Sequence, residues 1–182
     1  MTTSGQDVPW LSEGLRRKIE QTHDSVSLTL RLQLEIQHLL AARLLHFRYP
    51  RPESDDPVKN LMNIQVHGLI IDDVILRLVK LCDKRSDTLT FKKVLKAQKN
   101  RLGPTAVAAL LGRINEYGAF VSNLKSHRDG RIAHTQIGAN TNLPPTTEIR
   151  EAVKMAVEIS DSICMDQATY MYLNINLREA LV

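Results

Sequence analysis

The chain has 182 residues, 43% of them hydrophobic and only 4% aromatic, which is typical of a helical globular protein and excludes a disordered one. The formal net charge of +4 at pH 7 favours a polyanionic partner only mildly, because surface charge of this size is common. Two widely spaced cysteines exclude a disulfide scaffold and a cysteine-rich zinc site. No secretory leader or long apolar run is present, so we predict a cytoplasmic protein with no membrane contact.

The first part of the chain is predicted to form two helices. Residues 12–22 are expected to be a short helix, so that residues 1–23 hold a peripheral N-terminal element. Asp24 or Ser25 is then the expected cap of a long helix that ends near Phe47. A loop with three prolines follows, and Pro57 stands where the next helix begins.

A third helix, from Val58 to about Cys82, carries an apolar stripe wide enough to predict a central position in the bundle. The stripe suits either the core or an interface between two copies of the chain, and we assign it to the core. Its side chains are Leu61, Ile64, Leu69, Ile71, Val74, Ile75, Leu78 and Leu81.

Three further helices complete the chain. A basic helix begins at Thr88 or Thr90 and stops at Gly103–Pro104, a fifth helix runs from Thr105 toward Ser126, and a last one covers residues 146–176. The cations of the basic helix either follow an RNA backbone or form a solvated surface; they are Lys92, Lys93, Lys96, Lys99 and Arg101. With no strand alternation, we predict one all-α domain over residues 1–182, a bundle of four to five main helices.

The segment HRDGRIAH, from His127 to His134, carries the most distinctive chemistry of the chain. Arg128 is a permanent cation that can clamp a phosphate, and His134 can exchange a proton near neutral pH. In an ideal helix the two residues point about 120° apart, so they share a site only if Gly130 bends the segment. In a continuous helix His127, Arg131 and His134 share one face instead, and spacing alone leaves both geometries open.

This segment resembles the R-x4-6-H signature of the HEPN superfamily of small helical proteins, with Asp129 as the polar residue after the arginine. In more detail, HRDGRIAHTQ is similar to the RDK..AH block of the abortive-infection, AbiU-type branch. The upstream stretch LVKLCDKRSDTLTFKKVL is similar to the RLTDK…SLS..LL block of that branch, and the resemblance extends from Leu69 to the end of the chain. Three positions depart from the pattern: Gly130 replaces a lysine, Lys80 an arginine and Gln136 an aspartate.

The resemblance implies a metal-independent endoribonuclease that needs no cofactor and acts as a homodimer. Arg128 is then expected to hold the scissile phosphate, and His134 to act as general acid or base at the ribose 2′-hydroxyl. Asp129, His127 and Arg131 are expected to support them. Such a protein fits the toxin of a toxin–antitoxin or phage-defence system, with an antitoxin or a nucleotidyltransferase as partner. The alternative is a non-catalytic HEPN-like module that binds RNA, a nucleotide or a partner protein.

Two adjacent acidic residues of the third helix, Asp72 and Asp73, are candidates to approach the motif across the bundle. The sequence does not distinguish between them. Together with His67 they have the wrong offsets for one helix face, and we predict no metal site there.

Overall fold

The computed structural model of the chain describes residues 13–48, 56–83, 85, 88–127, 129 and 144–164, and these ranges contain helices and no strand. The predicted all-α bundle is therefore confirmed. None of the described helices is both long enough and apolar enough to cross a bilayer. The helices are α1 (Glu13–Arg48), α2 (Pro57–Lys80), α3 (Phe91–Leu102), α4 (Pro104–Phe120), α5 (Ser122–His127) and α6 (Thr146–Cys164).

Local capping determines where α2 and α3 begin. The Asp56 carboxylate accepts a hydrogen bond from the backbone N–H of Val58 at 2.9 Å, and Pro57 occupies the first position of α2, where no N–H partner is needed. The Thr90 hydroxyl accepts a hydrogen bond from the backbone N–H of Lys93 at 3.3 Å and caps α3. Both starting points agree with the prediction from the sequence.

Gly103 alone separates α3 from α4. Its φ of 78° and ψ of 163° lie in a region that essentially only glycine occupies. Its N–H donates to the carbonyl of Lys99 at 3.1 Å, and Pro104 starts the next helix at once. The two helices therefore meet at a corner of one residue and pack against each other.

α1 is one helix of 36 residues, whereas the sequence predicted two. A break was expected before Asp24 or Ser25 because both residue types are common N-caps. Ser25 instead lies inside α1, where its carbonyl accepts a hydrogen bond from the Thr29 hydroxyl at 2.9 Å. The Ser25 hydroxyl accepts one from Gln98 of α3, also at 2.9 Å. The Ser25 hydroxyl thus binds a side chain of another helix and does not cap α1. Residues 13–23 form the first turns of α1.

Gln98 is the centre of a buried polar network that joins three helices. Its Nε2 lies 2.6 Å from the Thr29 hydroxyl, and its Oε1 accepts a hydrogen bond from Nε of Arg101 at 2.8 Å. Arg101 also donates to the carbonyl of Ile163 in α6. Buried polar groups need such partners, so the network fixes how α1, α3 and α6 align.

α6 is the central helix of the described bundle. It packs against α1, α2, α3 and α4. Its buried residues recur at steps of three and four: Ile149, Ala152, Val153, Ala156, Val157, Ile159, Ser160, Ile163 and Cys164. Small residues among them let neighbouring helices approach closely. The central position that the sequence assigned to the third predicted helix therefore belongs to α6.

α2 is buried only in its C-terminal half, from Gly68 onward. Leu61 and Ile64 lie on the same side of the helix as the buried residues but precede them, and they are 60% and 47% exposed. Leu69 is 68% exposed because it points to the opposite side. The assignment of the whole stripe to the core is wrong for these three residues. Four exposed apolar side chains also lie on the side opposite the core, beside the charged Asp73 and Lys80, and we call them the outer apolar face of α2: Val58, Met62, Leu69 and Leu76.

Candidate functional site

The structure describes the point at which the HRDGRIAH segment begins. His127 is the last residue of α5, and Asp129 is half-buried just beyond it. The other three predicted site residues, Arg128, Arg131 and His134, lie outside the described residues. The relative position of Arg128 and His134 thus remains a prediction, whereas the contacts of His127 at the start of the segment can be described.

The fifth predicted helix is two helices, because the chain turns at Val121. Its backbone, with φ of −80° and ψ of 4°, leaves the helical region, while its N–H still donates to the carbonyl of Tyr117 at 2.9 Å. The Ser122 hydroxyl donates to the carbonyl of Ala119 at 2.7 Å. After the turn, the buried Leu124 anchors α5, which packs against α2.

His127 lies against Asp72 of α2 at the end of α5. Its Nε2 is 3.6 Å from Oδ1 of Asp72, and the two side chains are only 6% and 17% exposed. This distance exceeds that of a hydrogen bond, so the contact is an ion pair whenever His127 is protonated. Burial reduces the screening of such a pair by solvent and salt. The buried contact with Asp72 therefore places the start of the candidate segment against α2.

Asp73, the neighbour of Asp72, has a different role on α2. Its Oδ2 accepts a hydrogen bond from Nε of Arg77 at 2.9 Å, one turn further along the helix. That hydrogen bond, together with the nearby carboxylates of Asp73 and Glu35, raises the pKa of Arg77 despite partial burial. Glu35 of α1 also binds Lys80 at 3.1 Å. Asp73 thus belongs to the α1–α2 ion network, and Asp72 is the acidic residue beside the motif.

A concave surface lies on a different face of α5 from His127, between that helix, α3, α4 and the α2–α3 connection. Its volume is about 770 Å³. We call it the basic groove because its rim carries the cations Arg85, Lys92, Lys93, Lys96 and Lys125. Sequence reasoning identified the α3 cations but not this groove, since their neighbours on α4 and α5 are distant in the chain.

Cys82 lies in the basic groove, and we expect its thiol to react slowly. Burial raises the pKa of Cys82 from 9.0 to about 12, although Lys92 acts in the opposite direction. At pH 8 its thiolate fraction is then about a thousandfold lower than that of a thiol with a pKa of 9.0. Alkylation by iodoacetamide, followed by peptide mass spectrometry, should show this difference between the native and the urea-unfolded protein. Equal rates in the two states would contradict it.

Three parts of the molecule thus meet at α5: the anchored start of HRDGRIAH, the acidic side chain of Asp72 and the basic groove. Comparison of the chain with protein-family models, with curated proteins and with solved structures gives no match in any of the three.

Proposed function

We propose that this protein is a HEPN-type, metal-independent endoribonuclease with Arg128 and His134 as its catalytic residues. The observation that carries the proposal is the burial of His127 against Asp72, directly before Arg128. A segment that performs chemistry needs a fixed starting point, since a displacement of about 1 Å can lower a rate about 100-fold. The anchored end of α5 provides such a point.

In the proposed reaction, the ribose 2′-oxygen attacks the adjacent phosphorus as its proton is removed. The bond from phosphorus to the 5′-oxygen breaks, and that oxygen takes up a proton. His134 serves one of these two proton transfers, and Arg128 stabilises the negative charge on the phosphoryl oxygens. Asp129 orients its neighbours, and Arg131 adds a second cation near the phosphate. The products are a 2′,3′-cyclic phosphate and a 5′-hydroxyl.

The proposal includes a homodimer, because two-fold symmetry would bring two copies of a sparse Arg/His pair together. The outer apolar face of α2 supports the proposed homodimer. Met62, Leu69 and Leu76 recur every seven residues and so form one row along the surface of the helix. Exposed apolar side chains in such a row are typical of an interface. In a toxin or phage-defence system, an antitoxin or nucleotidyltransferase would be the second partner.

The test is cleavage of total cellular RNA in excess chelator, with wild type and with an Arg128→Ala/His134→Ala variant whose circular dichroism matches it. We expect wild type alone to cleave and its products to end in cyclic phosphate. Cleavage by both proteins, or cleavage that requires a divalent ion, would overturn the proposal. No cleavage by either, with the dimer intact in light scattering, would favour a non-catalytic module that binds RNA, a nucleotide or a partner protein.

Asp72 and Asp73 provide a matched pair of variants for the anchoring of the segment. We expect Asp72→Asn to lower kcat about 10-fold with little change in KM, because the Asp72 carboxylate no longer holds His127 by charge. Asp73→Asn should leave kcat unchanged, since Asp73 binds Arg77 instead. The measurement is steady-state cleavage of a short labelled RNA. An equal loss of kcat in both variants would show that general helix stability, and not the anchor, is responsible.

A further inference from the structure

Three of the five rim cations of the basic groove have no carboxylate partner among the described residues. Arg85 is paired with Asp83 at 3.1 Å, which leaves the lysines to determine the charge of the rim. Within the ranges that the structure describes, no carboxylate forms an ion pair with Lys92, Lys96 or Lys125. Lys92 and Lys96 lie one helical turn apart, where like charges repel each other. A ligand with several negative charges would relieve that repulsion.

The floor of the basic groove is apolar. Four apolar side chains that are at most 3% exposed lie beneath it: Val79, Leu81, Ile114 and Val121. The volume lies within the range of about 300–1,000 Å³ that is usual for pockets of organic ligands, so a single inorganic ion would leave most of the groove empty. The surface therefore suits a ligand with spaced anionic groups and flat, weakly polar parts. A nucleic acid strand has both, in its phosphates and its bases.

α5 connects the groove to the candidate catalytic segment. Lys125 of the groove precedes His127 by two residues, which is about 3 Å along a helix axis. The two side chains point about 160° apart around the helix, so a strand bound in the groove lies on a different face of α5 from His127. No exposed aromatic ring lines the described groove, so stacking would contribute little and binding would depend on the phosphates.

We infer that the basic groove binds the phosphodiester backbone of single-stranded RNA, an inference that rests on the proposed ribonuclease function. Lys92, Lys96 and Lys125 contact successive phosphates, and the bases lie over the apolar floor. Recognition in the groove is independent of base sequence, because lysine contacts to phosphate carry no sequence information.

The test measures binding of a fluorescein-labelled 12-nucleotide uridine RNA by anisotropy, in excess chelator and in a His134→Ala background that prevents cleavage. We expect Lys92→Gln/Lys96→Gln to raise Kd about 10-fold at low salt. The slope of log K against log salt should fall by about 1.4, since each phosphate contact to a single strand contributes about 0.7. The matched control is Lys99→Gln/Lys154→Gln, which removes the same charge from exposed positions outside the groove and should change Kd less than about 2-fold.

Equal effects of the two double variants would show that only net charge matters and would overturn the groove as the site. Displacement of the RNA by micromolar ATP, with no gain in affinity from 2 to 12 nucleotides, would identify a single-nucleotide ligand and also overturn the inference. Cleavage by protein with native His134 is measured in parallel. Binding that depends on the lysines, without any cleavage, would contradict the ribonuclease function and support the groove as the RNA site. Cleavage together with binding that does not depend on the lysines would contradict only the groove as the RNA site.

Discussion

Replacement of His134 by alanine is expected to lower the rate constant of RNA cleavage by about 10²- to 10⁴-fold, the usual contribution of a positioned proton donor or acceptor. Because the 2′-hydroxyl is a weak nucleophile until it loses its proton, the substitution slows the chemical step of the reaction. RNA binding depends on cations that the variant retains, and its Kd should stay within about 2-fold of wild type. Single-turnover cleavage in excess chelator measures the rate constant, and anisotropy measures Kd.

Two further variants make this result specific. His38→Ala removes an exposed histidine of α1 and should leave the rate unchanged. Arg128→Ala should lower the rate by about 10²- to 10³-fold, because a group that stabilises transition-state charge is lost. Arg128→Lys should restore only part of it, since lysine cannot bind a phosphate through two parallel hydrogen bonds. A wild-type rate in correctly folded His134→Ala would remove this residue from the mechanism.

The Tyr117→Ala substitution should lower the free energy of unfolding by about 3–5 kcal/mol, as for other large aromatic side chains removed from a core. Tyr117 of α4 is fully buried between Leu78 of α2 and Phe91 of α3. Its hydroxyl donates to the carbonyl of Leu78 at 2.8 Å, and its ring packs edge-on against Phe91 at 5.5 Å between centroids. The variant leaves a cavity and removes the partner of a carbonyl in the last turn of α2.

Urea unfolding followed by far-UV circular dichroism measures this loss. Leu111→Ala, at an exposed position of the same helix, is the control and should change stability by less than about 0.5 kcal/mol. Tyr117→Phe keeps the ring and removes only the hydrogen bond, so it should cost about 1–2 kcal/mol. A Tyr117→Ala cost below that of Tyr117→Phe would contradict the packing argument.

The same side chain gives a dependence on pH. Burial raises the pKa of Tyr117 well above 10, and the neighbouring Cys82 acts in the same direction. In the unfolded chain the phenol ionises near pH 10, whereas in the folded protein it stays protonated. Its contribution to stability is therefore complete below pH 10 and is lost as pH rises further. Above pH 10, the stability of Tyr117→Phe should fall less steeply than that of wild type.

Local sequence signals were sufficient for the starts of α2 and α3 and for the corner at Gly103. Caps, a first-turn proline and a glycine with positive φ act within four residues, so their effect can be predicted from the sequence. Ser25 shows where this fails. It has the chemistry of a cap, but its hydroxyl binds Gln98, 73 residues later in the chain. Only the packing of α1 on α3 decides between the two roles.

The candidate site also depends on contacts between residues that are distant in the chain. The contact of Asp73 with Arg77 follows the four-residue spacing of a helix and was accessible from sequence. Asp72 is rotated from Asp73 by about 100°, and its partner, His127, depends on how α5 packs on α2. Only the three-dimensional structure shows that the cations of α3 point in different directions. Lys92 faces the basic groove, whereas Arg101 points to Gln98 and α6.

The one-residue corner at Gly103 has a consequence for how fast the groove can be filled. Two of its walls, α3 and α4, are joined through this one residue and pack against each other, so their separation is set when the chain folds. A preformed surface loses little conformational entropy on association and needs no opening step. Encounter with a polyanion would then be governed by electrostatic attraction over a distance of several ångströms. Its association rate would fall as salt is added.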